Sequence, residues 1–134
     1  MSEEQSGETF GCEKCWPFSA EAADAARRGL IPVAELIDES HFHVMIRACS
    51  VCSQKFISIF TELIDWSEGD DPQYWTLLPI TEDEAAGLTR SGDSVTEEVL
   101  NSLGKGRRSL QHDRPKGKPP RTCWGVGVLV GRHD

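Results

Sequence analysis

The clearest pattern in the chain is an alternation of apolar and more polar residues that begins at position 41. On an extended chain the two sides of this run differ in character, with Phe42, Val44 and Ile46 on one side and His41, His43, Met45 and Arg47 on the other. A period of two predicts a half-buried strand. A Cys-x-x-Cys turn at 49–52 interrupts the pattern, and β-branched and aromatic residues resume over 55–64. The sequence therefore predicts a β-hairpin whose turn carries two thiols.

Helix signals precede and follow this hairpin. Ser19 is a typical N-cap residue for an alanine-rich helix over 20–28. Thr81 and Glu84 have the spacing of a capping box, which predicts a helix from there to about residue 89. A further helix is expected to begin at Ser94 or Thr96 and to end at a glycine, Gly104.

Two more segments read as strands, at 74–80 and at 122–130, whereas residues 33–37 fit either a short helix or a strand. Together these signals predict an α+β fold with a small antiparallel sheet and two to three short helices. The predicted organisation has four parts. They are a disordered acidic tail at 1–9, an α+β domain at 10–104, a basic mobile loop at 105–121 and a final strand at 122–134 that packs on the domain.

Composition and charge narrow the function classes. The 134 residues are 38% hydrophobic with a mean hydropathy of −0.40, and the acidic, polar start differs from the basic and then apolar start of a secretory signal. We therefore expect a cytoplasmic protein. The net charge of −8 argues against a whole surface that binds nucleic acid. That charge is unevenly distributed, since residues 1–100 sum to −14 and residues 101–134 to +6.

The cysteines carry the strongest chemical signal. Two Cys-x-x-Cys turns, Cys12/Cys15 and Cys49/Cys52, offer four thiolates, which is the ligand set of tetrahedral zinc. We expect one structural Zn²⁺ per chain that staples the hairpin, because four protein ligands leave no open position for catalysis. A redox pair, an iron–sulfur cluster and no metal at all remain open alternatives. The fifth cysteine, Cys123, is expected to be a small buried residue, and His41 or His43 could replace a thiolate.

On these residues the chain resembles the zinc-ribbon class of bacterial proteins. The resemblance covers roughly residues 10–65 and rests on the four cysteines and the hairpin around the second pair. Zinc ribbons often place a glycine after the second knuckle, where this chain has Ser53 and Gln54. The segment from Asp70 to Trp75 is similar to small bacterial proteins of unassigned function. The resemblance implies a structural metal and either nucleic-acid contact or adaptor work.

An acidic stretch at 62–71 could act in one of two ways. Its carboxylates could hold magnesium in a small metal-dependent hydrolase, but no base, nucleophile or phosphate-binding loop accompanies them. Alternatively, Asp70 and Asp71 could meet a basic protein, with Trp66, Tyr74 and Trp75 as aromatic anchors. That second interpretation fits an immunity or antitoxin protein that masks a basic toxin, or an adaptor.

The basic segment offers a nucleic-acid alternative. Residues 105–121 contain seven Lys and Arg residues, among them Arg107 and Arg108. These side chains could bind phosphates, or the segment could dock onto the protein's own acidic body. Our preferred prediction is a non-enzymatic protein that acts by protein–protein contact.

Overall fold

A single antiparallel sheet organises the chain. The computed structural model describes residues 10–128 and residue 130. Within them six strands follow one another in the order of the sequence, each hydrogen-bonded to the next. The strands are β1 Ile31–Glu39, β2 Phe42–Ala48, β3 Lys55–Glu62, β4 Gln73–Ile80, β5 Arg108–Arg114 and β6 Arg121–Val126. The strands are joined by turns and, between β4 and β5, by two helices. The predicted antiparallel sheet is confirmed, with six strands.

Three helices accompany the sheet, and each begins at a residue with a capping side chain. They are α1 Ala20–Arg27, α2 Glu82–Ser91 and α3 Glu97–Asn101. Ser19 Oγ accepts from the backbone N–H of Ala22 at 3.3 Å, and Thr81 forms the predicted capping box with Glu84. Thr96, rather than Ser94, caps α3. The helix predictions are therefore confirmed to within two or three residues.

The two faces of the sheet bury different cores. Side chains alternate between the faces along each strand, so neighbouring residues of β3 belong to different cores. One core lies under α2 and α3 and consists mainly of Val44, Ile46, Ile57, Ile59, Leu78, Ile80, Ala85, Leu88 and Leu100. The other lies under α1 and contains Cys15, Ala20, Ala23, Leu30, Cys49, Phe56, Leu77 and Leu110. We call these the α2 face and the α1 face. The cysteine turns belong to the α1 face.

Two sequence predictions change with the structure. Residues 33–37 lie in a strand, β1, and not in a helix. The prediction of a loop throughout 105–121 is wrong, because Arg108–Arg114 forms β5 between β4 and β6. Leu110 is buried in this strand, and its charged residues have partners that the local sequence does not reveal. The predicted acidic tail at 1–9 and the last four residues of the predicted final strand lie outside the described residues.

Within the part of the chain that the structure describes, no helix is long and apolar enough to cross a membrane.

Candidate metal centre

The four cysteines of the two Cys-x-x-Cys turns meet at one end of the sheet. Cys12 and Cys15 lie in a turn just before α1, and Cys49 and Cys52 lie in the turn that joins β2 to β3. Ala48 pairs with Lys55 at the end of the hairpin, which fixes where that second turn begins. Packing of α1 on the α1 face brings the first turn against the second. The hairpin with two thiols in its turn is therefore confirmed.

The distances between the sulfurs define one compact site. The Sγ atom of Cys12 lies 3.8 Å from those of Cys15 and Cys49, and the Sγ atoms of Cys15 and Cys52 are 3.7 Å apart. All four sulfurs lie within 4.8 Å of one another. These separations are far beyond a disulfide bond of about 2.05 Å, and all four cysteines are free. The cluster is compatible with one metal ion such as zinc.

Backbone amides support both cysteine turns in the same way. The N–H of Trp16 donates to the carbonyl of Cys12 at 2.8 Å, and the N–H of Ser53 donates to the carbonyl of Cys49 at 3.0 Å. Each turn also directs an amide at a sulfur, since Cys12 N–H donates to Cys15 Sγ and Val51 N–H donates to Cys49 Sγ, both at 3.3 Å. Donors around the sulfurs favour the thiolate, which is the form that binds metal.

The four thiols differ in acidity. A backbone N–H of Cys15 lowers the pKa of Cys12. Burial acts to raise the pKa of Cys49, but the backbone N–H groups of Cys52 and Val51 outweigh it and lower the pKa to about 7. Burial raises the pKa of Cys15 and of Cys52. A metal ion that binds all four sulfurs would displace whatever protons they still hold, so its binding releases protons.

Gly11 shapes the first cysteine turn. Its φ of +70° lies in the left-handed region, and a Cβ atom there would lie 2.9 Å from Cys15 Sγ and 2.8 Å from Trp16 Cβ. Any other residue would therefore push against the sulfur cluster. In the second turn, Ser53 has a φ of +67° at the position where zinc ribbons often carry glycine. The serine thus takes the backbone conformation that the glycine would take.

An aromatic cluster anchors the first cysteine turn to the far edge of the sheet. Trp16 packs against Phe56 and Trp124, with ring centroids 5.3 Å and 4.9 Å apart. Arg108 lies over the Trp124 ring at 3.9 Å, and Trp124 Nε1 donates to the carbonyl of Phe18 at 2.9 Å. Aromatic residues next to the first cysteine turn are visible in the sequence. Their contacts with Arg108 of β5 and Trp124 of β6 could not be predicted from it.

Comparison of the chain with protein-family models, with curated proteins and with solved structures found no match. The candidate functions below therefore rest on the geometry of this chain.

The fifth cysteine and the two strand histidines do not join the cluster. Cys123 is half-buried in β6, His41 contacts Glu62 at 3.2 Å, and His43 contacts Asp38 at 3.2 Å. Among residues 10–128 and 130, the four cysteines are the one group of three or more such ligands close enough to share an ion. The alternative in which His41 or His43 replaces a thiolate therefore has no support in the structure.

The acidic stretch at 62–71 is engaged in internal contacts. Asp65 accepts from the backbone N–H groups of Ser67 and Glu68 and pairs with Lys116 at 3.1 Å. Glu62 accepts from Gln73 Nε2 at 2.6 Å, and Asp71 Oδ1 accepts from the N–H of Asp65 at 2.8 Å. The side-chain hydrogen bond from Gln73 lowers the pKa of Glu62, and that from Lys116 lowers the pKa of Asp65. These bonds occupy the carboxylates that a hydrolytic magnesium site would use.

The basic segment pairs largely with the protein's own acids. Arg114 contacts Asp70 at 3.1 Å, and Lys116 also contacts Glu68 at 2.7 Å. Arg107 donates to Glu84 at 2.8 Å and to the carbonyl of Pro79 at 2.9 Å. Further along, Arg121 pairs with Asp113 at 3.4 Å. In the structure, this segment therefore docks onto the acidic body, which is one of the two roles that the sequence suggested for it.

The predicted partner-binding residues separate into two groups. Trp66 lies in the acidic turn with 87% of its surface exposed, and Tyr74 and Trp75 are half-buried on opposite faces of β4. The charged members of the set, by contrast, make the internal contacts described above: Asp70, Asp71, Arg107 and Arg108. The structure therefore leaves Trp66 as the most accessible residue of the predicted set.

Proposed function

We propose that the protein is a non-enzymatic, zinc-ribbon-like protein that holds one structural Zn²⁺ and acts by contact with another protein. The observation that carries the zinc assignment is the spacing of the sulfurs. Four sulfurs at about 2.3 Å from a tetrahedral zinc would lie about 3.8 Å from one another. The Cys12–Cys15, Cys12–Cys49 and Cys15–Cys52 separations of 3.7–3.8 Å agree with that value, and all four sulfurs lie within 4.8 Å of one another.

A structural role follows from the ligand set. Four thiolates complete a tetrahedral shell, so no position remains for a water or a substrate. Zinc would supply the cross-link between the turn before α1 and the β2–β3 hairpin. Because Cys15 and Cys49 belong to the core of the α1 face, the metal and this core would stabilise each other.

The assignment is tested by a matched pair of cysteine variants. Cys49→Ser removes a ligand, and we expect loss of metal together with loss of the folded state, since binding of structural zinc is coupled to folding. Cys123→Ser is the control, because Cys123 lies outside the cluster and its replacement leaves all four ligands. Circular dichroism and metal content are measured on both. A folded, metal-free C49S variant would contradict the structural role.

Protein contact is supported by the exposed aromatic side chain in the acidic turn. A tryptophan that is 87% exposed buries a large apolar area on association. This arrangement suits an immunity or antitoxin protein, or an adaptor. The ion pairs of Arg107, Arg114 and Lys116 weigh against the alternative of nucleic-acid binding by residues 105–121.

The contact proposal is tested by affinity capture from cells that naturally make the protein. We expect a specific partner that binds the wild type and is released by Trp66→Ala, because truncation of an aromatic hot spot typically costs about 2 kcal/mol or more. Phe18→Ala is the control, since Phe18 is also an exposed aromatic residue (92%) but lies just before α1 and not in the acidic turn. Equal capture by wild type and W66A would contradict a role for this turn.

A further inference from the structure

A row of four rings crosses the part of the α1 face beyond the cysteine cluster. His43 of β2, Phe60 of β3, Trp75 of β4 and His112 of β5 lie side by side, as the strand registers require. Their ring centroids are 5.8, 4.6 and 5.6 Å apart in that order. All four side chains are half-buried, and the guanidinium of Arg27 in α1 lies 5.7 Å from the Trp75 ring centroid, so the rings form a continuous aromatic surface that α1 partly covers at the Trp75 end.

The row borders a groove with a volume of about 270 Å3. Its lining residues are His43, Met45, Arg47, Ser58, Phe60 and Trp75. The groove therefore combines a broad apolar floor with one arginine. A floor of this kind favours flat, apolar ligand groups that can stack on it.

Arg47 is the residue that gives the groove its charge preference. Its Nε is buried and has no hydrogen-bond partner, and within the described residues its guanidinium contacts no carboxylate; its Nη2 only approaches Met45 Sδ, at 3.7 Å. The neighbouring basic side chains differ, since Arg27 pairs with Asp24 at 2.6 Å and His43 contacts Asp38 at 3.2 Å. An unpaired, partly desolvated guanidinium beside an aromatic floor calls for an anionic group on the ligand.

We propose that this groove binds single-stranded nucleic acid, with bases stacked on Phe60 and Trp75 and one phosphate held by Arg47. Open sheet faces with aromatic residues on adjacent strands bind two or three unstacked bases in this way. In this proposal, base stacking contributes more of the binding free energy than phosphate contacts do. Such a site is compatible with a net charge of −8. The site differs from residues 105–121 and is independent of the protein-contact proposal.

The charge arrangement makes a specific prediction about salt. Each phosphate neutralised on a single strand changes the logarithm of the binding constant by about −0.7 per logarithmic unit of salt. Arg27, which lies over the Trp75 ring, is already paired with Asp24. With Arg47 as the one unpaired arginine of the groove we therefore expect a slope of about −0.7, much shallower than a basic patch would give. Glu35 pairs across the strands with Met45 at the rim and would oppose a nearby phosphate.

The experiment measures fluorescence anisotropy of a labelled oligothymidylate of about ten nucleotides with the full, metal-loaded protein at several salt concentrations. Phe60→Ala should weaken binding roughly tenfold. Arg47→Gln should weaken it and flatten the salt slope by about 0.7. Glu35→Gln should strengthen it. Phe18→Ala and Lys118→Gln are the controls and should bind as the wild type does.

Two further probes keep the proposal falsifiable if Phe60→Ala does not fold. Ser58→Asp places a negative charge in the groove without removing a ring and should abolish binding, with the fold checked by circular dichroism. An abasic oligomer of the same length should bind far more weakly than oligothymidylate, because it keeps the phosphates and lacks the bases.

Three results would overturn the proposal. The first is no binding at about 0.1 mM protein, the weak end of non-specific nucleic-acid affinities. The second is binding that the groove variants leave unchanged and Lys118→Gln removes, because that result places the site on the basic segment. The third is a captured protein that Arg47→Gln releases without any oligonucleotide binding, because that result assigns the groove to protein contact.

Discussion

The side-chain oxygen of Gln54 accepts a hydrogen bond from the backbone N–H of Gly11 at 3.0 Å. The Gln54 amide nitrogen also donates to the carbonyl of Ile80 at 2.8 Å. One side chain therefore links the loop before the first cysteine turn to the end of β4. Gln54 directly follows the second cysteine turn, so its bond to Gly11 holds the two cysteine turns next to each other. Neither bond involves a sulfur atom.

Replacement of Gln54 by alanine should weaken metal binding without removing a ligand. We expect a loss of about 1–3 kcal/mol of unfolding free energy, because Gly11 N–H and the Ile80 carbonyl lose their partner. Zinc affinity should fall about 10- to 100-fold, as for other residues that orient metal ligands. Competition with a chelator and urea denaturation measure the two effects. Gln73→Ala is the control, since Gln73 bonds Glu62 away from the cysteines and should leave zinc affinity unchanged.

Replacement of Ser53 by glycine in the second cysteine turn should stabilise the protein. Ser53 has a φ of +67°, where an L side chain is strained by about 1–2 kcal/mol and glycine is not. We predict that Ser53→Gly raises the unfolding free energy by roughly 1 kcal/mol, measured by urea denaturation with zinc present. Ser50→Gly, in the same turn at an ordinary φ, should be neutral or destabilising. A destabilised S53G protein would show that the serine side chain contributes more than the strain removes.

The ion pair between Glu84 and Arg107 should make stability depend on acid pH. Burial would raise the pKa of Glu84, but the hydrogen bond from Arg107 and the backbone N–H of Thr81 outweigh it and lower the pKa below its ordinary value of 4.5. Because the folded-state pKa is the lower one, the contribution is complete above about pH 4.5. It is lost as the pH falls through the folded-state pKa.

Glu84→Gln isolates this contribution, because glutamine keeps the capping box and loses the charge. We expect the variant to be about 1–2 kcal/mol less stable than the wild type at pH 7, with a difference that shrinks toward zero as the pH falls below 4.5. Denaturation of both proteins with zinc in excess, from pH 7 down to the lowest pH at which the wild type stays folded, measures the difference. A difference that stays constant with pH would contradict the assignment.

Arg108 should be a structural residue although it lies in the basic segment. Its guanidinium covers the Trp124 ring at 3.9 Å and approaches Trp16 at 5.3 Å, and its burial lowers its pKa. We predict that Arg108→Ala destabilises the protein by about 1–2 kcal/mol through the lost cation–π contact. Lys118→Ala, a change in the exposed turn between β5 and β6, should have no effect on thermal stability. Equal effects of the two variants would contradict this prediction.

Short-range signals explain why most elements were predictable. Each helix begins at a side chain that accepts from a backbone N–H three residues later, at Ser19, Thr81 and Thr96. The start of a helix can therefore be predicted from a few adjacent positions. The β2–β3 hairpin likewise shows its period of two locally. Pro79, which has no backbone N–H to donate, lies near the end of β4 and beyond Leu77, where the pairing of β4 with β5 ends.

Strand β5 was missed because what stabilises it is far away in sequence. Arg114 pairs with Asp70, 44 residues earlier, and Arg108 lies over Trp124 of the next strand. The four cysteines were predictable because their spacing alone implies a shared ion. The roles of Gly11 and Gln54 were not, since they depend on how the first turn approaches β4 in the folded protein.

The central claim is that the four cysteines hold one structural zinc, and metal analysis of the purified protein tests it most directly. Elemental analysis by mass spectrometry, together with unfolding followed by circular dichroism as a chelator is added, gives both stoichiometry and consequence. We predict about one zinc per chain and cooperative unfolding when the metal is removed. A folded protein that contains no metal, with all four thiols reduced, would contradict the account.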